Sequence, residues 1–423
     1  MIEEQENAIV ISLYDDVTEI VQLADTLGYN SVKTFIQHRK NPDVNSYIGP
    51  GKVNEIKEFI DDFDEKISLV IVNGELKPSQ WFVLEKKLKR DVFDRVRLIL
   101  AIFEKRADRK EARLQVKLAQ LQYERPFVRE LIHRARAGEH PGFMAGGEYQ
   151  VDDYYEMIKK QVKKIKGELN KIRDDRVLQR QHRHVGGFYL VSLAGYTNAG
   201  KSSLLNLLSG EQVKVEGKLF STLSTTTRKI DNRKIPILLT DTVGFIQHLP
   251  ALIIDAFHST LEEIEVADVV LLVVDGSEDN ELAKKKLNVS LDELIGLGVN
   301  SPIIIVLNKI DLLTGDEISK RIDFLQKDGK VKGKTIIPVS IKFKKNIPVL
   351  LDAIYDSLLH VKTITIRLPP SEETQAFISW LYEKTHVSSI NYDDEVTVTV
   401  ECNVLLKDKI ISTCNKLQGS IVS

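Results

Sequence analysis

One short segment carries glycine, lysine and serine in a spacing that suits phosphate binding. It reads Gly195-Tyr-Thr-Asn-Ala-Gly-Lys-Ser202, follows an apolar stretch and precedes the helix-like Ser203-Leu-Leu-Asn-Leu-Leu. Glycines let backbone N–H groups turn inward around phosphate oxygens, and the N-terminus of the next helix adds partial positive charge. We therefore predict a phosphate loop in which Lys201 reaches the outer phosphates and the Ser202 hydroxyl binds Mg²⁺. Its predicted nucleotide contacts are Gly195, Tyr196, Thr197, Asn198, Ala199, Gly200, Lys201, Ser202 and Ser203.

A second polar motif begins forty residues after Lys201 (241 − 201), at the end of the strand-like Pro236-Ile-Leu-Leu-Thr240. It reads Asp241-Thr-Val-Gly244. Alone, Asp-x-x-Gly usually marks a turn, but behind a phosphate loop it is typical of a sensor of the third phosphate. Asp241 is expected to support Mg²⁺, and the Gly244 N–H is expected to face the γ-phosphate. The predicted contacts here are Asp241, Thr242, Val243 and Gly244.

A third motif, Asn308-Lys-Ile-Asp311, follows an apolar strand-like run and can recognise a base. The Asp311 carboxylate can accept hydrogen bonds from N1–H and the exocyclic amine of guanine, whereas adenine lacks that amine and leaves a carboxylate unpaired. The motif therefore predicts guanine specificity. A loop at Ser340 should complete the base pocket, although Ile341 stands where alanine is usual. The predicted base contacts are Asn308, Lys309, Asp311, Val339, Ser340 and Ile341.

A hydroxyl-rich segment between the first two motifs, Phe220-Ser-Thr-Leu-Ser-Thr-Thr-Thr-Arg228, fits a first switch. One of its threonines should complete the Mg²⁺ ligands. We choose Thr226, with Thr225 and Thr227 as alternatives because the sequence does not fix the register. The predicted metal ligands are then Ser202, Thr226 and Asp241, and the predicted catalytic residues are Lys201, Thr226 and Gly244.

Two further residues bear on the rate of hydrolysis. Phe245 stands directly after the Asp-x-x-Gly motif, where many GTPases carry the glutamine that orients the attacking water, so slow intrinsic hydrolysis is expected. Asn198 resembles the asparagine that some GTPases use to hold K⁺, whose charge can act as an arginine finger does. K⁺ is thus a candidate cofactor beside Mg²⁺, and the alternative is that Asn198 only stabilises the loop.

The motifs are separated by elements that can position them. After Gly186, apolar runs alternate with helical patterns, which indicates a mostly parallel sheet with helices on both faces. Residues 8–103 also alternate short apolar runs with helices, and residues 104–183 read as a helical hairpin whose arms are joined by a projecting, glycine-rich tip, Ala137–Gly147. Residues 363–423 read as strand, helix, strand, helix.

The predicted fold class is therefore α/β: a P-loop GTPase domain preceded by an α/β N-terminal domain with a long helical hairpin and followed by a small α/β C-terminal domain. The predicted boundaries are 1–103 for the N-terminal subdomain, 104–185 for the basic hairpin, 186–362 for the GTPase domain and 363–423 for the C-terminal domain.

The composition is that of a folded globular protein. Of 423 residues, 43% are hydrophobic and 28% are charged, which argues against disordered and fibrous classes. No apolar run approaches the roughly 18 residues that cross a bilayer, and the acidic Met1-Ile-Glu-Glu-Gln-Glu does not suit a signal peptide. Cys402 and Cys414 lack metal-type spacing and read as reduced thiols. We expect a cytoplasmic protein with no stable membrane anchor.

The formal net charge of −2 is distributed unevenly along the chain. Residues 104–136 carry ten Lys/Arg against five acids, and residues 158–184 carry ten against three. Two basic arms of this kind can neutralise RNA phosphates. The alternative is that they are merely solvated helix faces.

Together these motifs resemble the HflX family of ribosome-associated GTPases. The resemblance extends upstream of the phosphate loop and covers most of residues 30–360. The segments that carry it there are Asn41-Pro, Tyr47-Ile-Gly-Pro-Gly-Lys52, Glu75-Leu, Ser79-Gln80, Asp94-Arg95, Leu98-Ile-Leu100, Ile102-Phe103 and Gln115-Val-Lys-Leu-Ala-Gln-Leu-Gln-Tyr123. Generic GTPases lack this block.

The resemblance implies that the protein binds GTP and GDP, docks on the large ribosomal subunit and its rRNA, and promotes dissociation or rescue of ribosomes. In that family the hairpin tip approaches the peptidyl transferase centre. This chain departs from the family there, since Gly138-Glu-His-Pro-Gly-Phe-Met-Ala-Gly-Gly-Glu148 lacks the arginine of the longer run usual in the family. We expect a monomer.

Two alternative functions remain open from the sequence. One is a nucleotide-switched RNA- or ribosome-binding protein in which slow hydrolysis only resets the conformation. The other is a GTPase that serves RNA processing away from ribosomes. The ribosome-associated enzyme and the nucleotide-switched binding protein share every motif and differ only in stimulation by ribosomes, which no residue reveals.

Overall fold

The structure is a computed structural model. It describes residues 5–136, 148–185, 188–210, 220, 223, 226–230, 236–246, 250–358, 362–393, 395–402 and 404–422. The predicted hairpin tip and Thr225 lie outside these ranges. The chain forms two compact units. The first comprises Met1–Ile172, Lys218–Ser224 and Gln247–His258, and the second comprises Arg173–Gly217, Thr225–Ile246 and Ser259–Ser423.

The first unit contains a four-stranded parallel sheet in the order β2-β1-β3-β4. Every residue of β1 from Ala8 to Ser12 is buried, as is typical of a strand covered on both faces. The strands are β1 (Glu6–Ser12), β2 (Tyr29–Ile36), β3 (Ile67–Val72) and β4 (Asp91–Asp94), and the helices among them are α1 (Thr18–Leu27), α2 (Pro50–Asp62), α3 (Pro78–Leu88) and α4 (Arg95–Arg106).

Two long helices follow, α5 (Lys110–Arg136) and α6 (Glu148–Val185), so the predicted arms are helical. They pack through apolar residues that recur at helical spacing, including Leu121 and Val128 of α5 with Ile158 and Ile165 of α6. Their other faces are polar and charged. Within the described part of the chain, neither these helices nor any other combine the length and apolarity that would let them cross a membrane.

The second unit contains a six-stranded sheet in the order β10-β9-β8-β5-β7-β6, in which only the edge strand β6 is antiparallel. This confirms the predicted mostly parallel sheet. Its strands are β5 (Tyr189–Gly195), β6 (Thr226–Ile230), β7 (Ile237–Asp241), β8 (Val269–Asp275), β9 (Ile303–Asn308) and β10 (Thr335–Pro338). Its helices are α7 (Lys201–Ser209), α9 (Asn280–Gly296), α10 (Gly315–Gln326) and α11 (Ile347–Leu358), while α8 (Ala251–Glu265) belongs to the first unit up to His258 and to the second unit from Ser259.

A second sheet of this unit is antiparallel, in the order β12-β13-β11-β14. Its elements are β11 (Lys362–Leu368), α12 (Glu372–Lys384), β12 (His386–Tyr392), β13 (Val396–Cys402), α13 (Val404–Lys416) and β14 (Ser420–Ile421). The sequence analysis predicted only two strands here. It missed β12, an edge strand with serines and asparagine among its apolar residues, and β14, which has two residues.

Three phenylalanines form a buried aromatic cluster in the first unit. Phe103 of α4 makes edge-to-face contacts with Phe220 and with Phe257 of α8, at centroid distances of 4.7 and 5.0 Å. All three side chains are at most 2% exposed. Phe220 begins the predicted first switch, and Phe257 follows the Asp-x-x-Gly motif. The N-terminal sheet unit therefore includes chain segments that flank the predicted phosphate-sensing residues.

Candidate functional site

The phosphate loop connects the carboxyl end of β5 to the first turn of α7. Gly195 has φ +130° and packs so closely on β8 that a Cβ would overlap with the Val273 carbonyl oxygen. Gly200, with φ +108°, precedes α7, and a Cβ there would overlap with the Asn308 side-chain amide. Because only glycine suits both the left-handed backbone and the close approach, the geometry requires these two motif glycines.

Lys201 is the first residue of α7 and its side chain is buried. Its ammonium donates hydrogen bonds to the carbonyl oxygens of Gly195 and Tyr196, at 3.0 and 2.8 Å. Burial lowers the pKa of Lys201 to about 8, a shift that the negative charge of Asp241 opposes. A cation with so little water around it interacts strongly with an approaching anion.

Ser202 and Asp241 place two oxygen groups side by side at the end of the sheet. The Ser202 hydroxyl donates to Asp241 Oδ2 at 2.7 Å, and Asp241 is 1% exposed. The next residue, Thr242, donates from its hydroxyl to the Leu193 carbonyl oxygen at 2.8 Å, which anchors the chain after β7 to β5. Val243 is also buried. The two predicted metal-binding motifs therefore meet in space.

The Asp-x-x-Gly motif is tied to the phosphate loop by backbone hydrogen bonds. The Phe245 N–H donates to the Gly195 carbonyl oxygen at 3.0 Å, and the Thr197 N–H donates to the Phe245 carbonyl oxygen at 2.9 Å. A Cβ on Gly244 would lie 2.8 Å from the Lys201 ammonium nitrogen. Gly244 thus leaves open the space beside the lysine that an outer phosphate would need.

The third motif is connected to the phosphate loop through Asn308. Its amide nitrogen donates to the Ala199 carbonyl oxygen at 2.9 Å, and its side-chain oxygen accepts from the Ile341 N–H at 3.3 Å. Asn308 therefore joins three loops, and its contact with the base stays a prediction. Val339 is buried, and its carbonyl oxygen accepts from the Ile310 N–H at 3.3 Å.

The predicted base-reading carboxylate is held by the Ser340 loop. The Ser340 hydroxyl donates to Asp311 Oδ1 at 2.6 Å, so the two predicted residues are brought together. Lys309, with φ +64°, extends its ammonium to Asp275 Oδ2 at 2.6 Å. Asp275 ends β8 directly opposite Asn308.

The first switch is described only in part. Thr226 begins β6 and pairs with Asp241 in the sheet register. Thr227 makes a hydroxyl–hydroxyl hydrogen bond of 2.8 Å with Thr240 across the same pair of strands. Thr226 is thus next to the predicted metal site, whereas the Thr227 hydroxyl is engaged elsewhere, and Thr226 as a ligand stays a prediction.

Comparisons with known proteins cover nearly all of the chain. Residues 14–104 match the family model described as GTP-binding GTPase N-terminal, residues 106–183 match GTP-binding GTPase Middle Region, and residues 190–309 match 50S ribosome-binding GTPase. The GTPase HflX of Methanocaldococcus jannaschii is 42% identical over 408 residues, which are 96% of each chain. That of Thermococcus kodakarensis is 40% identical over 90% of this chain and 87% of the relative.

The chain belongs to the HflX family of GTPases. Among solved structures, this chain is similar to the protein named SsGBP in its complex with GDP. The two are 29% identical in sequence, the match covers 84% of this chain and 99% of SsGBP, and the TM-score is 0.50. The family assignment makes this HflX-family protein an enzyme that binds and hydrolyses GTP, as the three motifs predicted.

The donor set of the site suits Mg²⁺. Ser202 and Asp241 provide a hydroxyl and a carboxylate oxygen in mutual contact at 2.7 Å, and Mg²⁺ prefers such hard oxygen ligands together with substrate phosphates. When bound, the ion would neutralise charge on the phosphate oxygens. The HflX-family site is thus compatible with the metal that the motifs predicted.

Sequence reasoning missed two contributors to the site of this HflX-family GTPase. Asp275 pairs with Lys309, and the signal for it was present as a carboxylate at the end of an apolar strand. Phe245 was considered only as a replacement for glutamine, yet its backbone joins the two phosphate motifs. That second role involves no side-chain chemistry, so no residue type in the sequence indicates it.

We predict that GDP binding at pH 9 takes up protons. The free protein loses the Lys201 ammonium charge as pH rises through about 8, whereas bound phosphates raise the pKa of Lys201 again. Affinity should be full below this pH and decline above it. Calorimetry at pH 9 in two buffers of different ionisation enthalpy measures the uptake. Equal binding heats in the two buffers would contradict the prediction. The control is Lys284→Gln, on α9, which should take up protons on GDP binding as the unaltered protein does.

Proposed function

We propose that this GTPase associates with the large ribosomal subunit in its GTP-bound state and promotes the dissociation or rescue of ribosomes. It acts as a monomer in the cytoplasm, with Mg²⁺ as cofactor and the domain boundaries given above. The observation that carries the proposal is the match of residues 190–309 to the family described as 50S ribosome-binding GTPases.

The charge of the second long helix supports RNA contact. Between residues 159 and 171, α6 exposes six lysines, and Glu168 is the one acidic residue in that interval. The apolar residues of α6 face α5, so packing directs the lysines outward. Such a row can neutralise RNA phosphates and release their counterions. The six are Lys159, Lys160, Lys163, Lys164, Lys166 and Lys171.

Each motif has a proposed role in the chemistry. Lys201 neutralises charge on the outer phosphates, and the Gly244 N–H donates to the γ-phosphate. Ser202, Asp241 and Thr226 hold Mg²⁺. The Asp311 carboxylate, oriented by Ser340, accepts from guanine, while Asn308 keeps the base loops in register with the phosphate loop.

The geometry after Gly244 supports slow hydrolysis by the isolated protein. Phe245 is 3% exposed, and a phenyl ring cannot orient a water molecule as a glutamine amide does. We propose that the ribosome completes the site by ordering the first switch and positioning the attacking water or a charge.

The aromatic cluster provides a route between this chemistry and the N-terminal sheet unit. Phe220 precedes Thr226 by six residues (226 − 220), and Phe257 follows Gly244 by thirteen (257 − 244). Both rings pack on Phe103 of α4. A change in the first switch or in the Asp-x-x-Gly motif on hydrolysis would pull on this cluster, and we propose that it couples the nucleotide state to the first unit.

We predict that large ribosomal subunits stimulate GTP turnover by tenfold or more, a barrier reduction of about 1.4 kcal/mol. The measurement is turnover of the purified protein in K⁺ buffer with and without subunits, and Ser202→Ala is the blank. Binding without stimulation would favour a nucleotide-switched binding protein. Absence of binding would contradict the proposal and favour RNA processing away from ribosomes.

We also predict that turnover is faster in K⁺ than in Na⁺ buffer. Asn198 has φ +62° in the phosphate loop, and we propose that its side chain helps to hold K⁺ near the developing negative charge. Asn198→Ala should remove the difference in turnover between the two buffers. Equal turnover of the unaltered protein in the two ions would mean that Asn198 only stabilises the loop.

Phe103→Ala should uncouple the switches from the N-terminal unit. We expect the ratio of ribosome-stimulated to basal turnover to fall about fivefold or more, a loss of roughly 1 kcal/mol, with GDP affinity unchanged. Phe59→Ala is the matched control, since Phe59 makes a similar edge-to-face pair with Phe35 in the same unit. If both variants lower the ratio equally, the effect is general destabilisation and the coupling route is wrong.

A further inference from the structure

A cavity in the first unit lies outside the nucleotide-binding motifs. Its volume is about 610 Å³, and its walls come from α3, β4, α4, α5 and the start of α6. That volume lies within the range of pockets that hold small organic ligands, roughly 300–1,000 Å³. Neither the GTPase chemistry nor the proposed RNA contacts use it.

The walls of the cavity are rich in aromatic rings. Trp81 packs edge-to-face on Phe127 at 5.4 Å, and Tyr123 lies 4.7 Å from the same ring. Aromatic faces bind both apolar chains and organic cations. The six aromatic residues that line the cavity are Trp81, Phe82, Phe93, Tyr123, Phe127 and Tyr154.

The charge of the lining is negative. Four carboxylates (Glu85, Asp91, Glu104 and Glu124) and two cations (Lys86 and Arg97) line the cavity, which leaves an excess of two negative charges (4 − 2). Arg97 is already placed over the Phe93 ring at 4.2 Å and lies 3.9 Å from Glu85. The cavity therefore complements a cation and would repel phosphate groups.

Two of the carboxylates are hydrogen-bonded to neutral partners. Glu104 accepts from the Gln120 side-chain amide at 2.9 Å, and Glu124 accepts from the Tyr154 hydroxyl at 3.2 Å. Neither of these hydrogen bonds supplies positive charge. Gln120 and Glu124 are one turn apart on the same face of α5, about 6 Å along the axis. Glu104 of α4 is thus bound at one turn of α5, and Glu124 belongs to the next turn of that helix.

This arrangement suits an organic dication better than a metal ion. A metal ion needs several oxygen ligands that converge on one point, whereas Glu104 and Glu124 lie on different helices, α4 and α5, and are held by different partners. Among the described residues, no group of three or more histidine, cysteine, aspartate or glutamate side chains could hold a metal. A linear organic molecule whose amines are separated by methylene groups matches a cavity lining that contains both carboxylates and aromatic rings.

We propose that this cavity binds a linear polyamine, with one ammonium group at Glu104, a second at Glu124, and the intervening methylene groups against the Tyr123 and Phe127 rings. The inference goes beyond the proposed function, because it requires neither nucleotide nor ribosome. It assigns the N-terminal unit a small-molecule site of its own.

The test uses spermidine as probe and Trp81 as reporter. The chain has two tryptophans, so Trp380→Phe in the full-length protein leaves Trp81 as the sole emitter. At constant ionic strength, we expect its fluorescence to change saturably, with a midpoint below about 1 mM. Replacing both carboxylates, Glu104→Gln with Glu124→Gln, should weaken binding about tenfold or more, and each single change should weaken it less.

The controls separate a two-point site from general charge effects. Glu58→Gln, an exposed carboxylate on α2, should leave the spermidine midpoint unchanged. Propylammonium, with one charge, should bind more weakly than spermidine. The proposal is overturned if Mg²⁺ or propylammonium produces the same saturable change, if spermidine produces none, or if the folded double variant binds spermidine normally. Thermal unfolding of each variant establishes that it is folded.

Discussion

The parallel pairing of β5 with β7 and β8 is the constraint on which the nucleotide site depends. It aligns Leu193 with Asp241 and Gly195 with Val273, so the strands end together and their loops share one edge of the sheet. The fit is close enough that a side chain at Gly195 would overlap with β8. The register of these strands thus determines where the site residues lie.

This dependence explains what the sequence could predict. The three motifs and the parallel sheet were predictable because each reactive residue follows a continuous apolar strand, and such strands bury both faces. Asp275 was detectable by the same rule. The Phe103 cluster was not, because it joins residues more than a hundred positions apart with no polar signal. β12 and β14 were missed because polar edge residues and a two-residue strand give almost no periodic pattern.

The first unit contains two chain segments that come from beside the nucleotide motifs, and this bears on its function. A sheet domain that only docked on RNA would need no segment next to the nucleotide motifs, yet this unit includes Lys218–Ser224, which overlaps the first switch, and Gln247–His258, which follows the Asp-x-x-Gly motif. Their phenylalanines, Phe220 and Phe257, are each only 2% exposed. Rings packed at this density cannot be displaced without loss of contact energy. A switch movement must therefore either carry α4 with it or give up these contacts.

The buried Lys201 links stability to the catalytic cycle. Desolvation of its ammonium is unfavourable in the free protein, which is why its pKa falls, and the negative charge of Asp241 opposes this shift only in part. Phosphate oxygens provide further negative charge. Because part of the binding free energy relieves this cost, nucleotide should stabilise the second unit beyond the contacts to the base. Burial of the Lys201 ammonium is thus unfavourable in the nucleotide-free protein, and the same burial strengthens its attraction for phosphate oxygens.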